Sequence, residues 1–163
     1  MHLIKKEIEI EVYDSELELQ IEDQDLLRLA RESMENAYAP YSRFLVGCVL
    51  LLENNTIVKG SNQENMAYPS GLCAERVAIF YAGANYPGVA VKTMAIVARA
   101  KDYTIQNPIV SCGACLQSLT EYEKQYKKPI RTILQGEGGK IWIANKGTQA
   151  FMPFQFNVEE LKR

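Results

Sequence analysis

Three cysteines and one glutamate are the residues whose types and spacing could do metal chemistry. Glu75 follows Cys73 by two positions, and Cys112 and Cys115 have the CxxC spacing. Cys73 and Cys112 each stand at the start of a predicted helix, where free N–H groups and the helix dipole favour a thiolate. If both helices begin at one edge of a sheet, the three thiolates would supply three of the four ligands of a tetrahedral zinc site.

The fourth ligand separates a structural zinc site from a catalytic one. Cys48 would close the site, whereas water would leave it open for catalysis. Because Cys48 lies inside the apolar segment FLVGCVLLL, where cysteine is most often a small buried hydrophobe, we favour water. Glu75 would then be the general base for that water, although a glutamate in a first turn can also simply complement the helix dipole. Arg76 is either a surface arginine or a donor to the thiolates that offsets their charge.

Catalysis by histidine is excluded by the composition. The sequence has one histidine, His2, and residues so close to a terminus are usually poorly ordered. Ser-His-Asp and Cys-His catalysis need a positioned imidazole, and the HExxH zinc motif needs two histidines. These classes therefore do not fit the chain.

The overall composition indicates one globular domain. The chain has 163 residues, of which 47% are hydrophobic, and 18 basic against 20 acidic residues give a net charge of −2. This balance offers no basic field for nucleic acid, and the apolar run over residues 44–52 is far shorter than the ~20 residues of a membrane span. The first residues, MHLIKKEIEIEV, lack the hydrophobic region of a signal peptide. We therefore expect a cytoplasmic protein without nucleic-acid or membrane partners, whose four cysteines stay reduced.

The periodicity of apolar residues predicts an α/β fold. Residues 7–21 alternate apolar and acidic positions, which is typical of a hairpin with one buried face, and a capped helix follows from Asp23 or Asp25 to about Ala37. Further helices are predicted over 73–84 and 112–126, and strands over 44–52, 56–60, 93–98, 130–135 and 141–144. We expect three α-β-α layers with a mixed sheet of about five strands. Residues 1–22 would form an added N-terminal hairpin and residues 23–163 the main domain.

Four segments carry a resemblance to a known family. AYAPYSRFLVG, NQENMAYPSGLCAERVAI, SCGACLQSLTEY and FMPFQF resemble, in order and spacing, the small tetrameric zinc-dependent cytidine deaminases of the cytidine and deoxycytidylate deaminase superfamily. The resemblance covers roughly residues 37–156 and leaves the first 22 residues outside.

The resemblance implies hydrolytic deamination of cytidine or 2′-deoxycytidine in cytoplasmic pyrimidine salvage. It implies one zinc ion per chain, held by Cys73, Cys112 and Cys115, with Glu75 as proton shuttle and Arg76 as a donor to the thiolates. It also implies a homo-oligomer, with a tetramer favoured, and a pyrimidine nucleoside as the small-molecule partner.

Five more positions match substrate-contacting residues of the family. Asn62 and Glu64 match the pair that grips the ribose hydroxyls, Phe44 an aromatic near the pyrimidine, Ala74 a backbone N–H for the ring carbonyl, and Phe156 an aromatic that reaches a neighbouring subunit's site. From the residues alone, Asn62 and Glu64 could equally be turn residues, and both phenylalanines could be packing residues.

Two departures from the family pattern leave alternatives open. Ser111 replaces a proline, which we expect to change little, and Leu116 replaces an arginine, which leaves charge compensation to Arg76. One alternative is a deaminase of a related, blasticidin-like aminopyrimidine nucleoside, although the NQEN segment favours an ordinary ribose. The other is a non-catalytic protein with structural zinc, which Leu116 favours and Glu75 opposes.

Overall fold

A six-stranded mixed sheet organises the molecule. The structure, a computed structural model, describes residues 1–156. The strands are β1 (Glu11–Tyr13), β2 (Phe44–Leu52), β3 (Ile57–Ser61), β4 (Val91–Ala100), β5 (Arg131–Gln135) and β6 (Ile141–Ala144). The helices are α1 (Ile21–Met34), α2 (Ala74–Asn85) and α3 (Gly113–Tyr126). The strand order is β1-β6-β5-β4-β2-β3, and β4 and β5 are parallel while the other neighbours are antiparallel.

Helices cover both faces of this sheet, which confirms the predicted three layers. Alternate residues of β2 point to opposite faces. Val49 belongs to the core under α1, whereas Cys48 and Leu50 belong to the core under α2 and α3. This double burial explains why β2 is a continuous apolar run rather than an alternating one.

The predicted N-terminal hairpin is wrong. Residues of β1 pair with β6 at the sheet edge, with Glu11 opposite Ile143, and this adds the sixth strand. The segment that should return as the second strand instead forms a 3-10 turn over Glu16–Glu18. A capping box drives this turn, because the Ser15 hydroxyl accepts the Leu17 N–H and the Glu18 carboxylate accepts the Ser15 N–H.

The alternation that suggested the hairpin does not mark a buried face either. Leu17 is 86% exposed and Val12 is 59% exposed, whereas Leu19 is buried. α1 then begins at Ile21, so the division expected after residue 22 lies within this helix.

Candidate active site

The starts of two helices bring three cysteines together. Cys73 is the N-cap of α2 and Cys112 the N-cap of α3, while Cys115 lies in the first turn of α3. The Sγ atoms of Cys73 and Cys112 are 3.9 Å apart, and those of Cys112 and Cys115 are 3.5 Å apart. All three sulfur atoms lie within 4.8 Å of one another, so they can contact one metal ion.

Close contact between β3 and α2 fixes one of these helix starts. A Cβ atom on Gly60 would lie 2.5 Å from the Ala74 carbonyl oxygen and 2.8 Å from the Ala78 nitrogen. Only glycine therefore allows the first turn of α2 to rest on this strand. The contact fixes the start of α2 against β3, and Cys73 is the N-cap residue of that helix.

The charge of the cluster is balanced by one arginine. Proton sharing with Cys115 and the guanidinium of Arg76 lower the pKa of Cys73 to about 5, so that a thiolate is present at neutral pH. Arg76 Nη2 lies 3.9 Å from Cys73 Sγ. Its buried Nε has no hydrogen-bond partner among residues 1–156. Leu116 is buried and provides no second cation.

Cys48 does not join the cluster. It is fully buried in β2, and burial raises its pKa well above the usual value. The metal-binding group found within the described part of the chain contains only the other three cysteines. The fourth position is therefore not taken by Cys48, as the sequence analysis favoured.

Glu75 lies beside the cysteines in a protected position. Its side chain is buried, with 5% exposed. Burial raises the pKa of the carboxyl group, against the opposing effect of its own backbone N–H and the Ser111 side chain. A carboxyl group with a raised pKa is suited to accept and return a proton near neutral pH. The Ser111 side chain thus favours the ionised form of Glu75, a role that the sequence analysis did not predict for this residue.

A cavity of about 780 Å³ opens in front of the cluster. Its lining includes seven residues singled out from the sequence: Phe44, Asn62, Glu64, Cys73, Glu75, Arg76 and Cys112. Ala74 is fully buried as the first residue of α2, and Cys115 is buried behind the cavity. The cavity joins a proton-accepting carboxyl group, a potential metal site and a largely apolar wall, as in a small-molecule site.

Asn62 and Glu64 are more than turn residues. The Asn62 amide accepts the Val46 N–H at 2.8 Å and donates to the Phe44 carbonyl at 2.9 Å, which continues the pairing where β3 ends. Glu64 Oε2 accepts the N–H groups of Tyr41 and Ser42 at 2.9 and 3.2 Å. Asn62 therefore holds the first residues of β2, and Glu64 holds the loop that precedes this strand.

Phe156 does not reach the cavity of its own chain. It is 66% exposed, and the Gln117 side chain donates to its carbonyl at 3.3 Å. A contact between Phe156 and a substrate would therefore require a second copy of the chain.

Several cavity residues were not predicted from the sequence. Tyr41 and Tyr68 stand edge to face with ring centroids 6.2 Å apart, and Ile109 and Val110 form part of the wall. The tyrosines lie beside prolines in PY and YP pairs, which are equally typical of turns, so the pattern did not separate binding from turn formation.

Comparison with known proteins places the chain in a family. Residues 20–128 match the model of the cytidine and deoxycytidylate deaminase zinc-binding region. The chain belongs to this family. The cytidine deaminase of Halalkalibacterium halodurans is 34% identical over 140 residues, which cover 85% of this chain and 96% of the relative. That of Sporosarcina psychrophila is 36% identical over 137 residues, which cover 83% and 92%.

A solved deaminase structure shares the fold. The crystal structure of cytidine deaminase from Burkholderia pseudomallei aligns with a TM-score of 0.69 at 33% identity, over 81% of this chain and 97% of that one. β1 and the 3-10 turn precede the residues matched to the deaminase family. None of the helices described in residues 1–156 is long and apolar enough to cross a membrane.

The donor set of this deaminase fits zinc. Thiolate sulfur is a preferred zinc ligand, and three protein ligands are typical of catalytic zinc sites. Cys73, Cys112 and Cys115 could bind the ion. When bound, zinc acidifies a coordinated water.

Proposed function

We propose that the chain deaminates cytidine or 2′-deoxycytidine hydrolytically, giving the uridine product and ammonia. The observation that carries the proposal is a buried carboxyl group, Glu75, beside a cluster of three thiols, with Glu75 and two of those thiols, Cys73 and Cys112, lining one cavity. The relatives named as cytidine deaminases support the same reaction.

Glu75 performs the proton transfers in this proposal. Its carboxylate takes a proton from the attacking water and delivers it to N3 of the ring, while the water oxygen bonds to C4. Glu75 then takes the remaining proton from the new C4 hydroxyl and passes it to the exocyclic amino group, so that the C4–N4 bond breaks, the C4=O bond forms and ammonia leaves. Arg76 holds the thiolate of Cys73, and the N–H of Ala74 at the start of α2 is free to meet the ring carbonyl.

The sugar is held on the other side of the cavity. Asn62 and Glu64 bind the ribose hydroxyls, and Phe44 lies against the pyrimidine. Of the residues that line the cavity, Arg76 alone is cationic, and it faces Cys73. With no cation available for a phosphate and an acidic Glu64 near the sugar, a nucleoside suits the cavity better than a nucleotide.

We also propose a homo-oligomer, with a tetramer favoured, in which Phe156 enters a neighbouring site. The exposure of Phe156 outside its own cavity supports this arrangement. Cytoplasmic pyrimidine salvage is the matching setting, since the reaction requires free thiols and the cysteines of the chain are all free.

The first prediction tests the reaction itself. The purified protein should lower the absorbance of cytidine, contain about one zinc per chain, and lose activity with a chelator. Glu75→Gln should retain zinc but lose about 10²- to 10⁴-fold in kcat, because the proton shuttle is gone. Glu121→Gln, on the exposed side of α3, is the matched control and should stay active.

The outcomes separate the remaining alternatives. A Glu75→Gln variant with wild-type turnover contradicts the proposed role of Glu75. Stoichiometric zinc without turnover of any aminopyrimidine nucleoside supports a structural-zinc protein, for which the buried Leu116 is the favouring feature. Turnover of blasticidin-like compounds in preference to cytidine would identify the other deaminase.

A further inference from the structure

Arg43 has a backbone conformation that few residues with a side chain adopt. Its φ is +57°, in the left-handed region. An L-residue pays a steric cost there, and such residues are concentrated at functional sites. Arg43 stands between Ser42 and Phe44, both of which line the cavity.

The left-handed conformation lets the Arg43 backbone take part both in the turn before β2 and in the pairing of β2 with β4. Its N–H donates to the Ala39 carbonyl at 3.1 Å and closes the turn before β2. Its carbonyl accepts the Lys101 N–H at 3.1 Å and extends the pairing of β2 with β4. The Arg43 side chain points away to Asp102, with 3.0 Å between guanidinium and carboxylate.

The direction of the turn decides where two backbone donors point. The N–H groups of Tyr41 and Ser42 converge on Glu64 Oε2, at 2.9 and 3.2 Å. The Ser42 hydroxyl accepts the Phe44 N–H at 3.1 Å across Arg43. Successive N–H groups directed at one point form a small anion-binding concavity, which here holds a carboxylate of the protein.

We propose that Arg43 is a positioning residue for Glu64. The left-handed backbone of Arg43 orients the loop N–H groups so that the Glu64 carboxylate faces the sugar hydroxyls. The inference rests on the proposed function, in which Glu64 grips the ribose. A carboxylate has about four acceptor positions, so Glu64 can hold the two loop N–H groups and still accept a hydroxyl.

The hydrogen bonds also favour the ionised form of Glu64. Burial acts against ionisation, but the Ser42 side chain and the N–H groups of Tyr41 and Ser42 together lower the pKa of Glu64. An ionised carboxylate is the stronger acceptor for a hydroxyl. Loss of the turn would therefore misdirect this acceptor, because the two N–H groups that hold it would no longer converge.

The test compares three variants of the full-length zinc enzyme. Arg43→Val makes the left-handed region costly, because valine is β-branched. Arg43→Gly permits it without a side chain. Asp102→Asn removes the partner of the Arg43 side chain and leaves the backbone preference of residue 43 unchanged. Each variant is assayed with cytidine and with 2′,3′-dideoxycytidine, which lacks both sugar hydroxyls.

Arg43→Val should raise the KM for cytidine about tenfold, because the left-handed conformation costs an L-residue roughly 1–2 kcal/mol and about 1.4 kcal/mol corresponds to a factor of ten. It should leave kcat for cytidine, zinc content and the kcat/KM for 2′,3′-dideoxycytidine unchanged. Arg43→Gly and Asp102→Asn should keep the KM for cytidine near that of the wild type. In a Glu64→Ala background, Arg43→Val should add no further rise, because the grip is already lost.

Other results overturn the proposal. Equal losses on both substrates would mean that Arg43 acts on general folding or on Phe44 rather than through Glu64. Equal effects of Arg43→Val and Arg43→Gly would assign the role to the side chain. If Arg43→Val does not fold, Arg43→Ala replaces it with the same criteria. A wild-type enzyme that turns over neither substrate would refute the proposed function, and the sugar-binding role with it.

Discussion

The chemistry of this deaminase depends on a few atoms held in unusual surroundings. Three sulfur atoms lie within 4.8 Å of one another, and a carboxyl group with a raised pKa is buried beside them. The Ser111 side chain, at a position where the family pattern has proline, opposes the rise in the pKa of Glu75. Without a bound cation this arrangement would cost free energy of folding, because clustered thiolates repel each other and buried polar groups need partners.

The second prediction distinguishes the ligand cysteines from the buried one. Cys115→Ala should abolish stoichiometric zinc binding and deamination, since it removes one of three ligands. Cys48→Ala should keep one zinc per chain and lose only about 1–2 kcal/mol of stability, as for a small core truncation. The measurements are metal analysis and thermal unfolding of both variants. Loss of zinc in Cys48→Ala would show that Cys48 belongs to the site.

At the scale of elements, local contacts set where helices and strands begin. Gly60 admits the first turn of α2 onto β3, and the Ser15 capping box turns the chain before α1. Within this turn, the Glu16 carboxylate accepts from both terminal nitrogens of the Arg31 guanidinium, at 2.9 and 3.0 Å, and also from the Gln135 side chain. Glu16 thus joins the N-terminal segment to α1 and β5.

The third prediction concerns this N-terminal connection and its pH dependence. The hydrogen bond from Arg31 lowers the pKa of Glu16 below its usual 4.5. A carboxylate with a lowered folded pKa stabilises the fold above its unfolded pKa, and this contribution disappears as pH falls through the folded pKa. Glu16→Gln should therefore lower the free energy of unfolding by about 0.5–1 kcal/mol at pH 7.

The effect should shrink below pH 4.5, where the wild type loses the same charge. Urea unfolding at pH 7 and at successively lower pH would measure it. Glu18→Gln is not a suitable control, because Glu18 completes the capping box, so Glu7→Gln serves instead. A difference that persists undiminished at low pH would rule out the ionic contribution.

At the scale of the whole molecule, one chain holds an incomplete set of the expected substrate contacts. The cavity carries the potential metal site and the residues proposed for the sugar, but Phe156 lies exposed elsewhere. Two hydrogen bonds hold the segment around Phe156 in place. The Gln117 side chain donates to the Phe156 carbonyl, and the Gln155 side chain donates to the Thr148 hydroxyl. An exposed aromatic side chain on a segment held by hydrogen bonds is typical of a residue that anchors an interface.

The fourth prediction tests the proposed division of the site between subunits. Phe156→Ala should raise the KM for cytidine, with zinc content unchanged, if the aromatic ring enters a neighbouring site. Subunits that carry Phe156→Ala have an intact Glu75, and subunits that carry Glu75→Gln have an intact Phe156. Mixed oligomers, formed by unfolding and refolding the two variants together, should therefore regain sites with wild-type KM. Sedimentation analysis gives the number of subunits, and a fully active monomer would refute the shared site.

The elements beyond residue 20 were predictable because their signals are local. β2 and β6 begin and end where the sequence predicted, and α2 and α3 differ from it by about one residue at their starts. The hairpin failed for a physical reason. Period-two alternation favours a strand only when a second strand and a core lie nearby, and the capping box around Ser15 offered the chain a competing local structure.

The sequence by itself determined the chemistry that is available: three thiols and a glutamate at helix starts, and a family pattern in the loops. Only the tertiary structure decided which of these groups meet. The convergence of three sulfur atoms, the separation of Cys48 from them and the hydrogen bonds from the loop N–H groups to Glu64 all depend on residues far apart in the chain. Such contacts depend on how helices pack on the sheet, and packing is a property of the folded volume that local residue patterns do not encode.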